Sequence, residues 1–86
     1  MSGISEIETQ IRSIENRIDT HMARLQSVKD EISETMDKTY ANFGKTEEGQ
    51  ELIRMLSCVL IKLSKSDSLL YVLKADLNSY VGRLKG

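Results

Sequence analysis

The sequence predicts an all-α protein: an antiparallel two-helix hairpin of coiled-coil type that completes a four-helix bundle by association. Three observations predict it. Proline and tryptophan are absent, and long stretches consist of good helix formers. Apolar residues recur in alternating steps of three and four, which is coiled-coil spacing. One glycine-containing break divides the 86 residues near their middle. We therefore expect one domain, residues 1–86, with helices at about 4–43 and 47–84 and a turn at 44–46.

The first helix is predicted to begin near Ser5. Ser2 and Ser5 are both suitable N-caps, and Glu8 follows Ser5 at capping-box spacing. The apolar seam of this helix is rich in β-branched residues and consists of Ile4, Ile7, Ile11, Ile14, Ile18, His21, Leu25, Val28 and Ile32. Beyond it the apolar positions shift to Met36, Tyr40 and Phe43. Such a four-residue slip predicts that the contact face of a continuous helix rotates there.

The predicted turn is formed by Phe43, Gly44 and Thr46. Gly44 suits the left-handed conformation that ends many helices, and Thr46 suits the N-cap of the next helix. A connection this short forces the two helices to run antiparallel. Gly49 lowers the helix propensity of the following turn, and two interpretations stay open: a close approach of another backbone segment, or no special role.

The second helix carries more apolar surface than one partner helix covers. Its seam is Leu52, Leu56, Val59, Leu63, Ser66, Leu70, Leu73, Leu77, Tyr80 and Leu84. Further apolar residues lie off this seam, and a helix that is apolar nearly all round is normally buried on more than one side. We therefore predict a partner interface made of Ile53, Met55, Leu60, Ile61, Leu69, Val72 and Val81, extended on the first helix by Met22 and Met36.

Charge is divided unevenly along the chain. Residues 1–48 carry six Lys/Arg and ten Asp/Glu, whereas residues 49–86 carry six and three. Antiparallel pairing brings these opposite charges alongside each other, which favours the correct orientation. At the level of the single histidine, His21, we expect a polar layer with Ser66 and Asp67. Such a layer serves to align the helices, and the alternative is a pH switch.

Several classes of function lack the residues they need. One histidine and one cysteine, Cys58, do not supply a metal site, and neither a phosphate loop nor a nucleophile motif is present, so we expect no metal, no cofactor and no enzymatic activity. Cys58 lies in the apolar run as a small hydrophobe. Nucleic-acid binding is disfavoured because the basic residues are spread around the helix without stacking aromatics. No signal peptide or membrane span is predicted, so we expect synthesis in the cytoplasm, with export by a leaderless route left open.

A helical hairpin of this length with a central glycine-containing turn resembles the small proteins of type VII secretion, both the WXG-like hairpins and the helical partners that accompany LXG toxins. At the turn, Tyr40 or Phe43 takes the place of the family's aromatic residue and Gly44 that of its glycine, at a different spacing. The family's C-terminal Y-x-x-x-D/E export signal is not met, since Tyr80 is followed by Leu84 at the fourth position.

The resemblance implies a hairpin that pairs with a copy of itself or with a larger helical protein, and whose export signal comes from its companion. We therefore predict a non-enzymatic protein–protein interaction module, an adaptor or targeting partner for type VII export or a secreted hairpin of that system. A homodimer and a heteromeric bundle are equally compatible with the sequence. The alternatives are a structural coiled-coil subunit of another assembly and an RNA-binding hairpin dimer.

Overall fold

The computed structural model describes residues 2–86 as two long antiparallel helices. Helix α1 spans Ser2–Phe43 and helix α2 spans Glu47–Lys85. They lie side by side in a rod of 65 × 15 × 12 Å. The described residues contain no strand, so the predicted all-α hairpin is confirmed. Residue 1 of the expected domain lies outside the described residues.

The first helix begins earlier than the capping signal predicted. Helix α1 already includes Ser2, so Ser5 lies inside it. The main-chain carbonyl of Ser5 accepts a hydrogen bond of 3.0 Å from the hydroxyl of Thr9, four residues on. The prediction that Ser5 and Glu8 form a capping box at the start of the helix is therefore wrong, because the backbone of Ser5 is already helical.

The cap of the second helix lies where the sequence places it. Thr46 has an extended backbone, and its hydroxyl oxygen accepts a hydrogen bond of 3.0 Å from the N–H of Gly49. The same hydroxyl donates to the carbonyl oxygen of Phe43 at 2.7 Å. Glu47 and Glu48 follow in the first turn, where the positive end of the helix dipole favours acidic side chains. The predicted N-cap is confirmed, and one threonine side chain ties the two helix ends together.

Both glycines at the turn are required by space rather than by a left-handed backbone. No described glycine has a positive φ, so the left-handed conformation predicted for Gly44 is wrong. A Cβ atom on Gly44 would lie 2.5 Å from the carbonyl oxygen of Tyr40. A Cβ atom on Gly49, which is buried, would collide with the carbonyl oxygen of Phe43. Of the two interpretations of Gly49, the close backbone approach is the correct one.

The helices contact each other through rows that differ by one position from the predicted seams. In α1 the row of Ile11, Ile18, Leu25 and Ile32 faces α2 as predicted, but its companion row is Glu8, Glu15, Met22, Lys29 and Met36. In α2 the row of Leu56, Leu63, Leu70, Leu77 and Leu84 is retained, and its companion row is Ile53, Leu60, Asp67, Lys74 and Val81. Each helix is thus turned about its axis by roughly 50°, half of the 100° that separates successive residues.

This rotation removes the predicted slip in α1. The inward row continues in regular steps from Ile32 through Met36 to Thr39, which is buried. Tyr40, which the slip would have turned inward, is among the most exposed large side chains. The expected change of contact face after Ile32 is therefore wrong: seven-residue spacing holds to the end of the helix.

Polar contacts between the helices set their axial alignment. Lys85 Nζ lies 3.2 Å from Glu8 Oε2, and Lys74 Nζ lies 2.7 Å from Asp19 Oδ1. In an antiparallel pair these two contacts describe one register, since eleven residues separate the partners on each helix. The contact of Lys29 with Asp67 (3.2 Å) and that of Arg12 with Asn78 (2.8 Å) deviate from that register by three residues in opposite directions.

The pair formed by Lys29 and Asp67 interrupts the hairpin seam. Their side chains are only 15% and 26% exposed, and Asp67 Oδ1 is buried without a hydrogen-bond partner among the described residues. Lys29→Met alone is expected to lower the free energy of unfolding by about 1–3 kcal/mol, because it leaves a carboxylate without its counter-charge. Lys29→Met with Asp67→Leu is expected to recover this loss. Urea denaturation measures both variants, and a double variant less stable than the single one would contradict the expectation.

Candidate interaction surface

One side of the rod is polar. It carries residues that follow an inward-facing position by one step, such as Arg12 after Ile11 and Asn78 after Leu77. Arg12 Nη1 donates to Glu15 Oε1 at 2.7 Å and to Asn78 Oδ1 at 2.8 Å. We call this the polar side; an open groove of about 510 Å³ runs along it, lined by Arg12, Glu15, Asn16, Asp19, Tyr71, Lys74, Ala75 and Asn78.

The opposite side of the rod is apolar along most of its length. Its residues precede an inward-facing position by one step, as Ile14 precedes Glu15 and Tyr80 precedes Val81, so the 100° turn per residue directs them away from the polar side. The large side chains in the two rows next to the seam are each 43–47% exposed. Two residues in the outer row of this side, both on α2, are more exposed still. We call this surface the apolar face; it consists of Ile7, Ile14 and Val28 of α1 and Met55, Val59, Leu69, Leu73 and Tyr80 of α2.

The seam between the two helices is poor in buried apolar residues by comparison. Among the described residues only Ile11, Ile18 and Val81 are buried hydrophobic residues, and Glu15 and Thr39 are buried with them. Burial of apolar surface is the main favourable term in folding. A hairpin that buries three such residues and exposes a larger apolar face leaves much of that stabilisation unused.

The residues predicted to form the partner interface separate into two groups. Val81 is 1% exposed, so its assignment to an external interface is wrong. Four more of the predicted residues lie in the inward rows of the two helices and not on an outer stripe. They are the half-buried residues Ile53, Leu60, Met22 and Met36. These five residues contribute to the hairpin itself, because the rotation of the helices brings their rows into the seam.

The remaining predicted interface residues are exposed. Met55 and Leu69, at 60% and 71%, lie on the apolar face. Val72 is exposed on the outer flank of α2 next to this face. Ile61 is exposed on the other flank, in a shallow groove with Ser64 and Ser68 that borders the polar side. The structure therefore brings two of the predicted residues together on one surface and separates Ile61 from them.

The predicted polar layer is built differently. Asp67 lies in the seam but pairs with Lys29, whereas His21 and Ser66 are exposed. His21 lies in the same row as Ile14 and Val28, and Ser66 in the row of Val59 and Leu73, so both interrupt the apolar face. The polar layer of the seam is thus a lysine–aspartate pair rather than a histidine-centred one.

Most of the apolar face belongs to rows that the sequence predicts inside the hairpin. Ile7, Ile14, Val28, Val59, Leu73 and Tyr80 all belong to the predicted seams. The signal that identifies their true position is charge: Glu8 and Asp19 match Lys85 and Lys74 across the helices only when the apolar rows turn outward. Periodicity within one helix does not contain this information.

The described residues offer few means for chemistry. No group of three or more His, Cys, Asp or Glu side chains in residues 2–86 comes together as metal ligands would. Cys58, predicted to behave as a small hydrophobe in the apolar run, is exposed. Within the same residues, neither helix has a stretch apolar and long enough to cross a membrane.

Comparison with protein-family models, with curated proteins and with solved structures gave no significant match to this chain.

Proposed function

We propose that this protein is a non-enzymatic protein–protein interaction module whose hairpin completes a helical bundle through the apolar face. The observation that carries the proposal is the exposure of this face, on which the most exposed large aliphatic side chain is Leu69. Exposed apolar patches larger than a few hundred Å² are uncommon on monomeric proteins and mark surfaces that bind other proteins. The regular seven-residue rows of the face suit further helices packed lengthwise on the rod.

The setting we propose is type VII export, with the hairpin pairing either with a copy of itself or, as an adaptor or targeting partner, with a larger helical protein. Support comes from the architecture, a two-helix hairpin of 86 residues with a short glycine-containing turn, which resembles the small helical proteins of that system. A structural subunit of another helical assembly would use the same face. Co-purification with a companion that contributes long helices distinguishes the two settings by the identity of the companion.

An RNA-binding hairpin dimer is less well supported by the charges on the rod. Lys74 and Lys85 of α2 each form an ion pair with an acidic residue of α1. Phosphate binding depends on cations that are free to replace the counterions of the nucleic acid. Cations already paired within the hairpin contribute little to such binding.

Leu73→Glu is expected to abolish association while leaving the helices intact. The substitution places a charge in the centre of the apolar face, where desolvation of an unpaired carboxylate opposes packing, and we expect affinity to fall by roughly 100-fold or more. Sedimentation equilibrium measures the association, and circular dichroism measures the helix content.

Ile61→Glu is the matched control, because it adds the same charge at an exposed apolar residue beside the polar side. It is expected to leave association unchanged. If Leu73→Glu has no effect on association, or if Ile61→Glu has the larger effect, the apolar face is not the interface.

A further inference from the structure

The apolar face is edged by charged residues that no contact within the hairpin explains. Arg17 and Glu31 lie on α1, three residues after Ile14 and Val28, and therefore on the outer edge of the same face. On α2 the corresponding edge carries Lys62 and Asp76, three residues after Val59 and Leu73. All four side chains are exposed, and none forms an ion pair within the described part of the chain.

The alignment of the helices places these edge charges at matching levels. Asp19 is level with Lys74, so in antiparallel helices the residue two positions earlier on α1 is level with the residue two positions later on α2. Arg17 is thus level with Asp76. By the same register, which the contact of Glu8 with Lys85 shares, Glu31 is level with Lys62. At each level the two opposite charges lie on the same side of the rod as the apolar face. One stands on the edge formed by α1 and the other on the edge formed by α2.

We infer that the occupant of the apolar face is a second copy of this chain, related by a two-fold axis parallel to the long axis of the rod. Such an axis lays α1 of one copy on α2 of the other and leaves every level unchanged. Arg17 then meets Asp76 of the second copy, and Glu31 meets Lys62 of the second copy. Symmetry repeats both pairs, so four ion pairs border a core formed by the two apolar faces. This inference rests on the proposed function and names the partner.

The other edge positions of the face are compatible with the same arrangement. Arg24 is level with Leu69, and Lys38 is level with Met55. In the dimer a long basic side chain of one copy would therefore lie over an apolar side chain of the other copy at both levels. The stems of lysine and arginine can cover apolar surface while their charged ends remain in water. Like charges do not meet at any of these outer-edge levels.

A two-fold axis across the rod fits less well. It would pack α1 on α1 and α2 on α2 with the turns at opposite ends. The chain is acidic in its first half and basic in its second, so like-charged halves would then be adjacent. In that arrangement Ile7 and Ile14 of one copy would also contact the opposite end of α1 in the other copy. At that end the row of Ile7 and Ile14 continues as Thr35 and Asn42, both polar. The axis along the rod pairs acidic with basic helices throughout.

The area of the face is sufficient for a stable dimer. The rod is 65 Å long and 15 Å wide, so this side offers roughly 1,000 Å² per copy, above the value of about 800 Å² per partner in a standard interface. In the dimer each helix would contact helices on two sides, which accounts for the three-row apolar pattern of α2.

A charge-swap experiment tests the pairing. Arg17→Glu and Asp76→Arg are each expected to weaken dimerisation by roughly tenfold, since each turns two edge attractions into repulsions. The double variant Arg17→Glu/Asp76→Arg is expected to regain the affinity of the unmodified chain. Arg54→Glu, a reversal outside the apolar face, serves as the control and is expected to leave the affinity unchanged. Sedimentation equilibrium measures all four variants.

A distance measurement tests the axis. With Cys58 replaced by serine and a spin label attached through Lys45→Cys in the turn, the two labels are expected within roughly 30 Å of each other, the span of two neighbouring hairpin ends. A separation near the 65 Å length of the rod would overturn the axis along the rod.

The outcomes separate this inference from the proposed function. A wild-type chain that is monomeric at about 100 μM overturns the homodimer, and so does a double variant that fails to regain affinity. In either case the interaction module survives if Leu73→Glu still prevents binding to another helical protein. A dimer that Leu73→Glu does not weaken contradicts the proposed function itself.

Discussion

Ile18→Ala is expected to lower the free energy of unfolding by about 2–5 kcal/mol, the range for truncating a large aliphatic side chain in a core. Ile18 is 5% exposed and is one of three buried hydrophobic residues of the seam in residues 2–86. The neighbouring rows contain charged residues, so the surroundings have little apolar material with which to fill the cavity. Chemical denaturation followed by circular dichroism measures the change.

Two isoleucine variants serve as comparisons. Ile61→Ala removes the same atoms from an exposed site outside both the seam and the apolar face, and is expected to change stability by less than about 0.5 kcal/mol. Ile14→Ala removes them from the apolar face and is expected to lower stability only at protein concentrations where association occurs. Equal losses for Ile14 and Ile18 in a monomeric chain would mean that the predicted seam, not the observed one, joins the helices.

Gly49→Ala is expected to lower the free energy of unfolding by about 1–3 kcal/mol, the cost of overpacking a close contact. The added methyl group would collide with the carbonyl oxygen of Phe43, a main-chain atom that cannot move without disturbing the end of α1. The same displacement would strain the hydrogen bonds of Thr46 to both helices. Thermal unfolding measures the loss.

Gly82→Ala, a substitution in the same helix, is expected to have the opposite effect on stability. Nothing lies within 4 Å of a Cβ atom built on this exposed residue, so the substitution is expected to stabilise α2 by about 0.5–1 kcal/mol. If Gly49→Ala also raised the melting temperature, the turn would have room for a side chain, and the tight connection between the helices would be in doubt.

The turn shows which structural features can be predicted from residues close together in the chain. Thr46 is predictable as a cap because its hydroxyl acts on the backbone only three residues away. The local sequence does not determine the role of Gly49, since its neighbour is the carbonyl of Phe43 in the other helix, brought close by the chain reversal. Gly44 was expected to be left-handed, but the backbone ends α1 without a positive φ.

The apolar face, too, is only partly predictable from the sequence. The excess of apolar residues on α2 is visible in the sequence, and so are Met55 and Leu69 as members of an outer surface. Val81 and Leu60 could not be separated from them, because both kinds of residue flank the same central row of leucines. Only the partner helix decides which flank is covered.

The sequence by itself determined two long helices, their break near Gly44, their antiparallel course and the surplus of apolar surface, because all of these follow from spacing along one chain. The tertiary structure alone decided which rows meet. Each helix has three rows that could be buried, a contact between two helices uses two of them, and ion pairs such as that of Asp19 with Lys74 favour the rotation that turns the third row outward. That choice depends on residues distant in the chain, and it forms the apolar face.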